Sequence, residues 1–282
     1  IALLEVDAAA SRIAGISGPG SQAARRDEVA ALFGRATEAE QRFLVGLFLG
    51  ELRQGALAGV MVEAVAKAAN LPAAQVRRAV MLAGELGPVA VAAIGEGADG
   101  LTGFGLQVLS PLQPMLAQTG EDLDDALARI SPASVEWKLD GARLQIHRAG
   151  DEVRGFTRNL ADITDRIPEI VEAVRALDVD AVVLDGESIA MDDDGRPLRF
   201  QQTMSRFGSK VKVAEARKQV PLSAFFFDLL HLDGEDLIDK PAGERLAALE
   251  SRIPSELRVP RIETGDLTEA QRLTRPSFEP LP

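Results

Sequence analysis

The hydrophobic positions in the first part of the chain follow a helical period. Between residues 21 and 86, apolar residues recur at spacings of three and four, and alanine and leucine are frequent. Thr37 and Glu40 stand three residues apart before an apolar run, which predicts a helix that begins with a capping box. We expect a later helix to stop at Asn70 and the next to hold Pro72 in its first turn. The pattern predicts an all-helical N-terminal domain.

Glycine then interrupts the helical pattern. Five glycines fall between Gly95 and Gly105, and because glycine disfavours helices, we predict a linker there. Two prolines follow soon afterwards, and the composition changes. We therefore place a domain boundary near Gly105, with a helical domain over residues 1–105 and a second domain over residues 106–282.

The second part of the chain mixes short alternating runs with short helical ones. Residues 144–148 and 153–157 alternate around Gly150-Asp151, which predicts a β-hairpin. The other predicted elements are strands over residues 135–139, 181–184 and 223–230, and helices over residues 168–177, 199–207, 211–218 and 242–253. No regular β-helix-β alternation is present. The predicted fold class is multidomain α and α+β, with a mixed, largely antiparallel sheet in the second domain.

Composition narrows the functional classes. The 282 residues contain no cysteine, which excludes a disulfide framework or a cysteine-ligated zinc site within them and is typical of a reducing cytosol. The longest apolar run, from Phe43 to Leu49, is too short to span a bilayer. The chain starts at Ile1 without a signal-peptide pattern, so we expect an internal start. These features predict a cytoplasmic protein with no membrane partner.

The charge balance is acidic. Net charge is −12, whereas proteins that bind nucleic acids usually carry a basic footprint. Any contact with DNA is therefore expected to come from local patches such as Arg25-Arg26, Arg77-Arg78 and the segment from Lys210 to Lys218. The same balance predicts weak DNA binding by the chain alone.

The stretch Glu136-Trp137-Lys138-Leu139-Asp140-Gly141-Ala142-Arg143 has the strongest chemical character. A lysine amine is a nucleophile only when it is unprotonated, and nearby cations, a bound metal and burial all favour that form. Gly141 lets the backbone turn close to a ligand, and Arg143 offers a fork of donors to a phosphate. Because a surface lysine on an ordinary strand gives the same short pattern by chance, the assignment depends on its companions.

Three companions follow that lysine along the chain. They are Thr157-Arg158-Asn159, Asp185-Gly186-Glu187 and Phe225-Phe226-Phe227-Asp228. In order and spacing, the four motifs resemble those of the covalent nucleotidyltransferases, which comprise ATP-dependent DNA ligases, RNA ligases and mRNA capping enzymes. The resemblance extends from about Pro114 to Gly234.

Within that superfamily the sequence is most similar to ATP-dependent DNA ligases, in particular bacterial ligases with an archaeal- or eukaryotic-like helical domain. Pro114-Met115-Leu116-Ala117 resembles the start of their adenylation domain. Glu51-Leu52-Arg53-Gln54-Gly55 resembles a signature of the helical DNA-binding domain that precedes it, which capping enzymes lack. An NAD-dependent ligase is a poorer match, because its four-cysteine zinc module cannot form here.

The resemblance implies a reaction. Lys138 would attack the α-phosphorus of ATP and become lysyl-AMP, with release of pyrophosphate. The AMP would pass to the 5′-phosphate of a nick, and the 3′-hydroxyl would then displace it. The implied cofactors are ATP and Mg²⁺, and the implied partner is nicked double-stranded DNA, bound by a monomer.

The resemblance also implies roles for the matching side chains. The nucleotide-binding residues would be Glu136 at the adenine edge, Arg143 at ribose or phosphate, Arg158 at the adenylate or the 5′-phosphate of the nick, Glu187 at the ribose hydroxyls or the metal, and Phe227 on the adenine ring. The predicted DNA-binding residues are Arg53, Arg158 and Arg206. His147 and His231 are isolated histidines, and no metal-ligand spacing links them to carboxylates, so we predict that both are structural.

The chain departs from the family pattern after the helix expected near residues 268–273. A Glu-Gly motif with a following lysine, a later Lys-x-Lys strand and an oligonucleotide-binding-fold domain should follow, and the sequence contains none of them. We expect an adenylation domain incomplete at its C-terminus, through truncation or missing residues near Leu273, and weak or absent nick sealing by these residues alone. Two alternatives stay open: an RNA ligase or capping-type enzyme, and a module that binds DNA or adenylate without sealing.

Overall fold

The computed structural model describes residues 1–50, 52, 58–192, 195–207 and 213–274. The chain divides into two compact units, Ile1–Leu57 and Ala58–Pro282. The described part of the first unit contains the helices α1 (Leu3–Gly15), α2 (Ser21–Arg35) and α3 (Glu38–Leu49).

The first unit has a small core to which each helix contributes. Ala9, Leu32 and Leu44 come from the three successive helices and are buried together. The predicted capping box is confirmed at the start of α3. The Thr37 N–H donates to Glu40 Oε2 at 2.7 Å, and the Glu40 N–H donates to Thr37 Oγ1 at 3.3 Å. These reciprocal bonds satisfy two backbone donors and fix where α3 begins.

The second unit opens with three further helices, α4 (Ala58–Ala69), α5 (Ala73–Ala83) and α6 (Leu86–Leu101). Helix α6 shows that the predicted glycine linker was wrong, because the segment is helical as far as Leu101, with a kink at Gly97. Val89 and Ala93 of α6 are buried against Val65 and Val76 of the two preceding helices. Burial of this apolar face outweighs the low helix propensity of glycine. Pro72 precedes α5 as its N-cap rather than lying in its first turn.

Helix α5 packs against the rest of the second unit. Leu82 is buried together with Val183 and Leu230. The compact units consequently divide between residues 57 and 58, whereas the sequence placed a boundary near Gly105. The predicted functional limits of the two domains remain a prediction.

The strands of the second unit form two separate sheets. They are β1 (Ala133–Glu136), β2 (Ala142–Ala149), β3 (Glu152–Thr157), β4 (Ala181–Ala190), β5 (Leu222–Leu232), β6 (Glu235–Asp236) and β7 (Arg261–Thr264). Five of them make an antiparallel sheet in the order β3-β2-β4-β5-β6, and β1 pairs with β7. The predicted largely antiparallel α+β domain is confirmed.

The predicted hairpin is also confirmed. Ala149 of β2 lies opposite Glu152 of β3, so Gly150 and Asp151 form the two-residue connection. Gly150 adopts a φ of 57°, which a side-chain-bearing residue rarely accepts. The strand predicted over residues 135–139 was too long, since β1 ends at Glu136.

The larger core lies between one face of the five-stranded sheet and two helices. The remaining helices are α7 (Leu123–Arg129), α8 (Pro168–Arg175), α9 (Phe200–Phe207), α10 (Val213–Gln219), α11 (Ala242–Arg252) and α12 (Leu267–Thr274). Ile146 and Phe226 of the sheet are buried with Ile170 of α8 and Leu249 of α11. Among the described residues, no helix is long and apolar enough to cross a bilayer.

Polar side chains on the opposite face hold an incoming segment onto the sheet. His147 is fully buried. The Leu109 N–H donates to His147 Nδ1 at 3.1 Å, and His147 Nε2 lies 2.9 Å from Gln145 Oε1. Leu112 N–H donates to the same amide oxygen at 2.9 Å. Because Nδ1 accepts a bond, the neutral ring carries its proton on Nε2 and serves a structural purpose.

We expect the second unit to lose stability in mild acid because of His147. Burial, and secondarily the charge of His231, lower the pKa of His147 to about 4 from 6.5. As the pH falls, the unfolded chain therefore takes up a proton at His147 before the folded chain does. The stability that neutral His147 gives the folded state is complete above about pH 7 and is lost between about pH 6.5 and pH 4. At about pH 5 the loss is about 2 kcal/mol. Urea unfolding at about pH 7 and about pH 5 measures this loss. The free energy of unfolding should fall much less for His147→Gln than for the unsubstituted chain, and an equal fall would contradict the assignment.

Candidate active site

A cavity of about 470 Å³ lies beside the loop that joins β1 to β2. All six residues predicted to act in catalysis or nucleotide binding lie in its wall. They are Glu136, Lys138, Arg143, Arg158, Glu187 and Phe227. The fold thus brings together side chains from four separate motifs.

Lys138 is exposed to this cavity and follows β1 by two residues. Its neighbour Trp137 is anchored, because the indole Nε1 donates to the Leu273 carbonyl of α12 at 2.9 Å. The Trp137 ring also packs with Phe225 and Val259. This anchoring fixes the backbone that carries Lys138, the only lysine among the described residues of the cavity wall.

Gly141 lets the same loop pass directly over β4. Its N–H donates to Glu187 Oε1 at 3.2 Å. A Cβ at this position would lie 2.3 Å from the Ser188 carbonyl oxygen, a distance that no side chain tolerates. The close approach therefore requires glycine, and it places the Glu187 carboxylate next to the loop that carries Lys138.

Arg143 is held between a carboxylate and an aromatic ring. Its Nη2 and Nε donate to Asp185 Oδ2 and Oδ1 at 2.6 and 3.1 Å. Its guanidinium carbon lies 5.5 Å from the centre of the Phe227 ring. Burial raises the pKa of Asp185, while the bonds and charge of Arg143 oppose that shift. Any phosphate at Arg143 must therefore share a guanidinium that is already paired and rigid.

The pKa values of two carboxyl groups in the cavity wall are shifted in opposite directions by burial and by neighbouring charges. Burial raises the pKa of Glu187, whereas the Gly141 N–H and the charges of Arg143 and Lys138 lower it. Glu136 remains accessible to solvent, yet partial burial by its surroundings raises the pKa of its carboxyl group, and the charge of Arg261 opposes this. Across the described residues, no cluster of three or more metal-binding side chains occurs. Glu187 would accordingly bring a single carboxylate to any metal.

Val259 is the cavity residue that the sequence did not reveal. Its N–H donates to the Phe226 carbonyl of β5 at 3.0 Å, and its buried side chain packs beside Phe225 and Phe227. An isolated apolar residue carries no local mark of a binding site. Only this long-range contact with β5 brings Val259 to the cavity.

Two family models match the chain. The model described as the ATP dependent DNA ligase domain matches residues 114–279, which is more than half of the chain, and the DNA ligase N terminus matches residues 1–66. The chain belongs to the ATP-dependent DNA ligase family.

Relatives of this ligase-family chain are named as DNA ligases. A probable DNA ligase of Anaeromyxobacter sp. is 56% identical over 266 residues, which are 94% of this chain and 51% of the relative. DNA ligase B of Mycobacterium tuberculosis is 56% identical over 266 residues, which are 94% of this chain and 52% of the relative. The chain thus spans about half the length of the curated relatives it matches.

A solved structure of a ligase domain is also similar. The crystal structure of the ligase domain from M. tuberculosis LigD is 28% identical, with 50% of this chain and 44% of that chain covered. The TM-score is 0.38. The family assignment rests on the family models and not on this likeness.

The residues predicted to bind DNA in this ligase-family chain lie in different settings. Arg158 is exposed in the turn after β3 and lines the cavity. Arg53 lies outside the described residues. The Arg206 side chain is only 1% exposed and pairs with Glu169 Oε1 at 2.6 Å. This placement disagrees with a DNA-facing role for Arg206, because a guanidinium sealed from solvent cannot reach a phosphate.

Proposed function

We propose that this chain carries the nucleotide-transfer site of an ATP-dependent DNA ligase that seals nicks in duplex DNA. The observation that carries the proposal is the convergence of Lys138, Arg158, Glu187 and Phe227 on one cavity. Family membership supplies the class of reaction, and the cavity supplies a nucleophile, cations for phosphates, a carboxylate and an aromatic surface.

The first step joins AMP to Lys138. The unprotonated Nζ attacks the α-phosphorus of ATP and a phosphorus–nitrogen bond forms. The bond from that phosphorus to the bridging oxygen breaks, pyrophosphate leaves, and the nitrogen gives up a proton to solvent. The charge of Arg143, which Asp185 holds in place, and the charge of Arg158 offset the negative charge of the phosphates during the transfer.

The next steps use the nick. An oxygen of the 5′-phosphate attacks the phosphorus of lysyl-AMP and forms a DNA-adenylate, while the phosphorus–nitrogen bond breaks and the Lys138 nitrogen takes up a proton from solvent. The 3′-hydroxyl then attacks the 5′-phosphorus, loses its proton and releases AMP as the phosphodiester forms. Arg158 is exposed beside the cavity and is available to a DNA phosphate. In this proposal the protein acts as a monomer in the cytoplasm.

The cavity is compatible with Mg²⁺ held largely by the nucleotide. Mg²⁺ keeps several waters and is commonly bound through one or two carboxylates together with substrate phosphates. Glu187 is the carboxylate that would hold it. When bound, the ion would neutralise charge on the triphosphate.

The cavity offers the nucleotide base an apolar surface and a polar side chain that can recognise it. Phe227 and Val259 offer a stacking surface for adenine. The Glu136 carboxylate, when ionised, only accepts hydrogen bonds, so it suits the exocyclic amine of adenine. Guanine presents a carbonyl at the corresponding position, and a carboxylate repels it.

Intact mass spectrometry tests the proposed function. Incubation with ATP and Mg²⁺ should add one AMP to the chain. Pyrophosphate should remove that AMP, and nicked duplex DNA should accept it on its 5′-phosphate. A preference for GTP or for RNA ends would instead support the capping-type or RNA-ligase alternatives, and the absence of any covalent nucleotide would overturn the proposal.

We expect Gly141→Ala to slow AMP transfer to Lys138 by about 100-fold. The new methyl group would lie 2.3 Å from the Ser188 carbonyl oxygen, so the loop must move away from β4 and carry Lys138 with it. Single-turnover transfer at saturating ATP measures this effect. Gly87→Ala is the matched control, because a Cβ there meets nothing within 4 Å. Transfer by Gly141→Ala at the unsubstituted rate would show that the close approach is unimportant.

A further inference from the structure

Arg261 lies directly beside the base-recognition part of the cavity. It belongs to β7 and pairs in register with Glu136 of β1. Directly opposed residues of an antiparallel pair project from the same face, with their Cβ atoms about 5 Å apart. The Arg261 and Glu136 side chains therefore leave the β1–β7 pair on the same side.

Other partners fix the position of the Arg261 guanidinium. Its Nη2 donates to Glu250 Oε1 of α11 at 2.7 Å, and its Nη1 donates to Ser134 Oγ at 3.3 Å. Ser134 precedes Glu136 by two residues and shares its face of β1. The Arg261 side chain is only 14% exposed. The cation is consequently held still next to Glu136 by groups other than Glu136.

The Glu136 carboxylate has no partner within the part of the chain that the structure describes. Among the described residues, none forms an ion pair or a side-chain hydrogen bond with it. Burial and the charge of Asp228 raise the pKa of Glu136, and the charge of Arg261 lowers it. A nearby cation that is engaged elsewhere favours the ionised carboxylate without occupying its oxygens. Both oxygens remain available to a ligand.

We propose that Arg261 is a positioning residue for base selection, which keeps the Glu136 carboxylate charged and open so that the cavity takes adenine and rejects guanine. This inference rests on the proposed function, because it assigns Glu136 to the base. Arg261 acts through Glu136 and not on the reacting phosphorus. Its loss should therefore change nucleotide binding more than the rate of AMP transfer.

Trp137 provides a direct measurement of binding. It is the only tryptophan of the chain, there is no tyrosine, and it lies in the cavity wall. Its emission can be titrated with ATP and with GTP. We expect Arg261→Met to raise the Kd for ATP about tenfold and to lower the ATP/GTP preference, which is the ratio of the Kd for GTP to the Kd for ATP. The rate of single-turnover AMP transfer at saturating ATP should change less than about twofold. Arg261→Lys should restore part of the preference.

Arg258→Met is the matched control. Arg258 Nη1 lies 3.9 Å from the same Glu250 Oε1, but Arg258 is not paired with Glu136. This variant should leave both Kd values within about twofold. A second variant, Glu250→Gln, keeps Arg261 but weakens its anchor, so Arg261 can turn to Glu136 and the ATP/GTP preference should also fall.

A double-mutant cycle decides whether Arg261 acts through Glu136. In a Glu136→Gln background, Arg261→Met should have no further effect on the ATP/GTP preference. Equal effects in both backgrounds, or an equal effect of Arg258→Met, would overturn the inference. If the unsubstituted chain binds ATP and forms lysyl-AMP while Arg261→Met keeps its preference, the inference fails and the proposed function stands. If the unsubstituted chain forms no lysyl-AMP, the proposed function itself fails.

Discussion

Replacing Lys138 with alanine is expected to abolish the gain of one AMP on incubation with ATP and Mg²⁺. Without the amine, the AMP phosphorus has no nitrogen with which to form a bond. Lys138 is also the only lysine among the described residues of the cavity wall. Arg143, Glu187 and Phe227 remain in place, so ATP binding should persist. Intact mass gives the covalent readout, and Trp137 emission gives the binding readout.

Two control variants separate chemistry from charge and from folding. Lys138→Arg keeps a cation but offers no neutral amine near physiological pH, so it should bind ATP and remain unmodified. Lys67→Ala removes a lysine of α4, which does not belong to the cavity wall, and should leave the mass gain intact. Adenylation of Lys138→Ala at the unsubstituted level would refute Lys138 as the nucleophile.

Replacing Glu169 with alanine is expected to lower the free energy of unfolding of the second unit by about 3–5 kcal/mol. Glu169 Oε1 accepts from Arg206 Nη2 at 2.6 Å and from the Leu222 N–H at 3.0 Å. Arg206 Nε and Nη1 already have no hydrogen-bond partner within the part of the chain that is described. Without Glu169, a buried guanidinium would lose its counter-charge. Urea denaturation measures the effect.

Glu172→Ala is the matched control for that experiment. Glu172 lies on the same helix α8 and pairs with Arg217, but both side chains are exposed. Exposed ion pairs contribute at most about 1 kcal/mol, so the urea midpoint should move little. If both variants lost the same small amount, the Arg206–Glu169 pair would not be the buried interaction that the geometry indicates.

Features set by neighbouring residues were predictable from the sequence. The Thr37–Glu40 capping box depends on bonds across one helical turn, and the Gly150-Asp151 hairpin depends on a two-residue turn. The residues of the candidate site were also predictable, because the order and spacing of their motifs match those of the family. Three of them, Arg143, Glu187 and Phe227, come together through the antiparallel pairing of β2, β4 and β5.

Features set by burial were not predictable. The glycine-rich segment looked like a linker, but packing of Val89 and Ala93 makes it α6. Arg206 looked like a DNA-facing cation, because composition does not reveal that Glu169 meets it inside the fold. Val259 and Arg261 reach the site only through pairing with β5 and β1. These outcomes depend on contacts between residues far apart in sequence.

The residue that carries the AMP shows whether Lys138 is the nucleophile. The chain should be incubated with ATP and Mg²⁺, digested, and mapped by peptide mass spectrometry. We expect one AMP, bonded through phosphorus to the side-chain nitrogen of Lys138, on the peptide that carries Glu136 to Arg143. An unmodified Lys138 peptide, or AMP on Lys67, Lys218 or Lys240 instead, would contradict it.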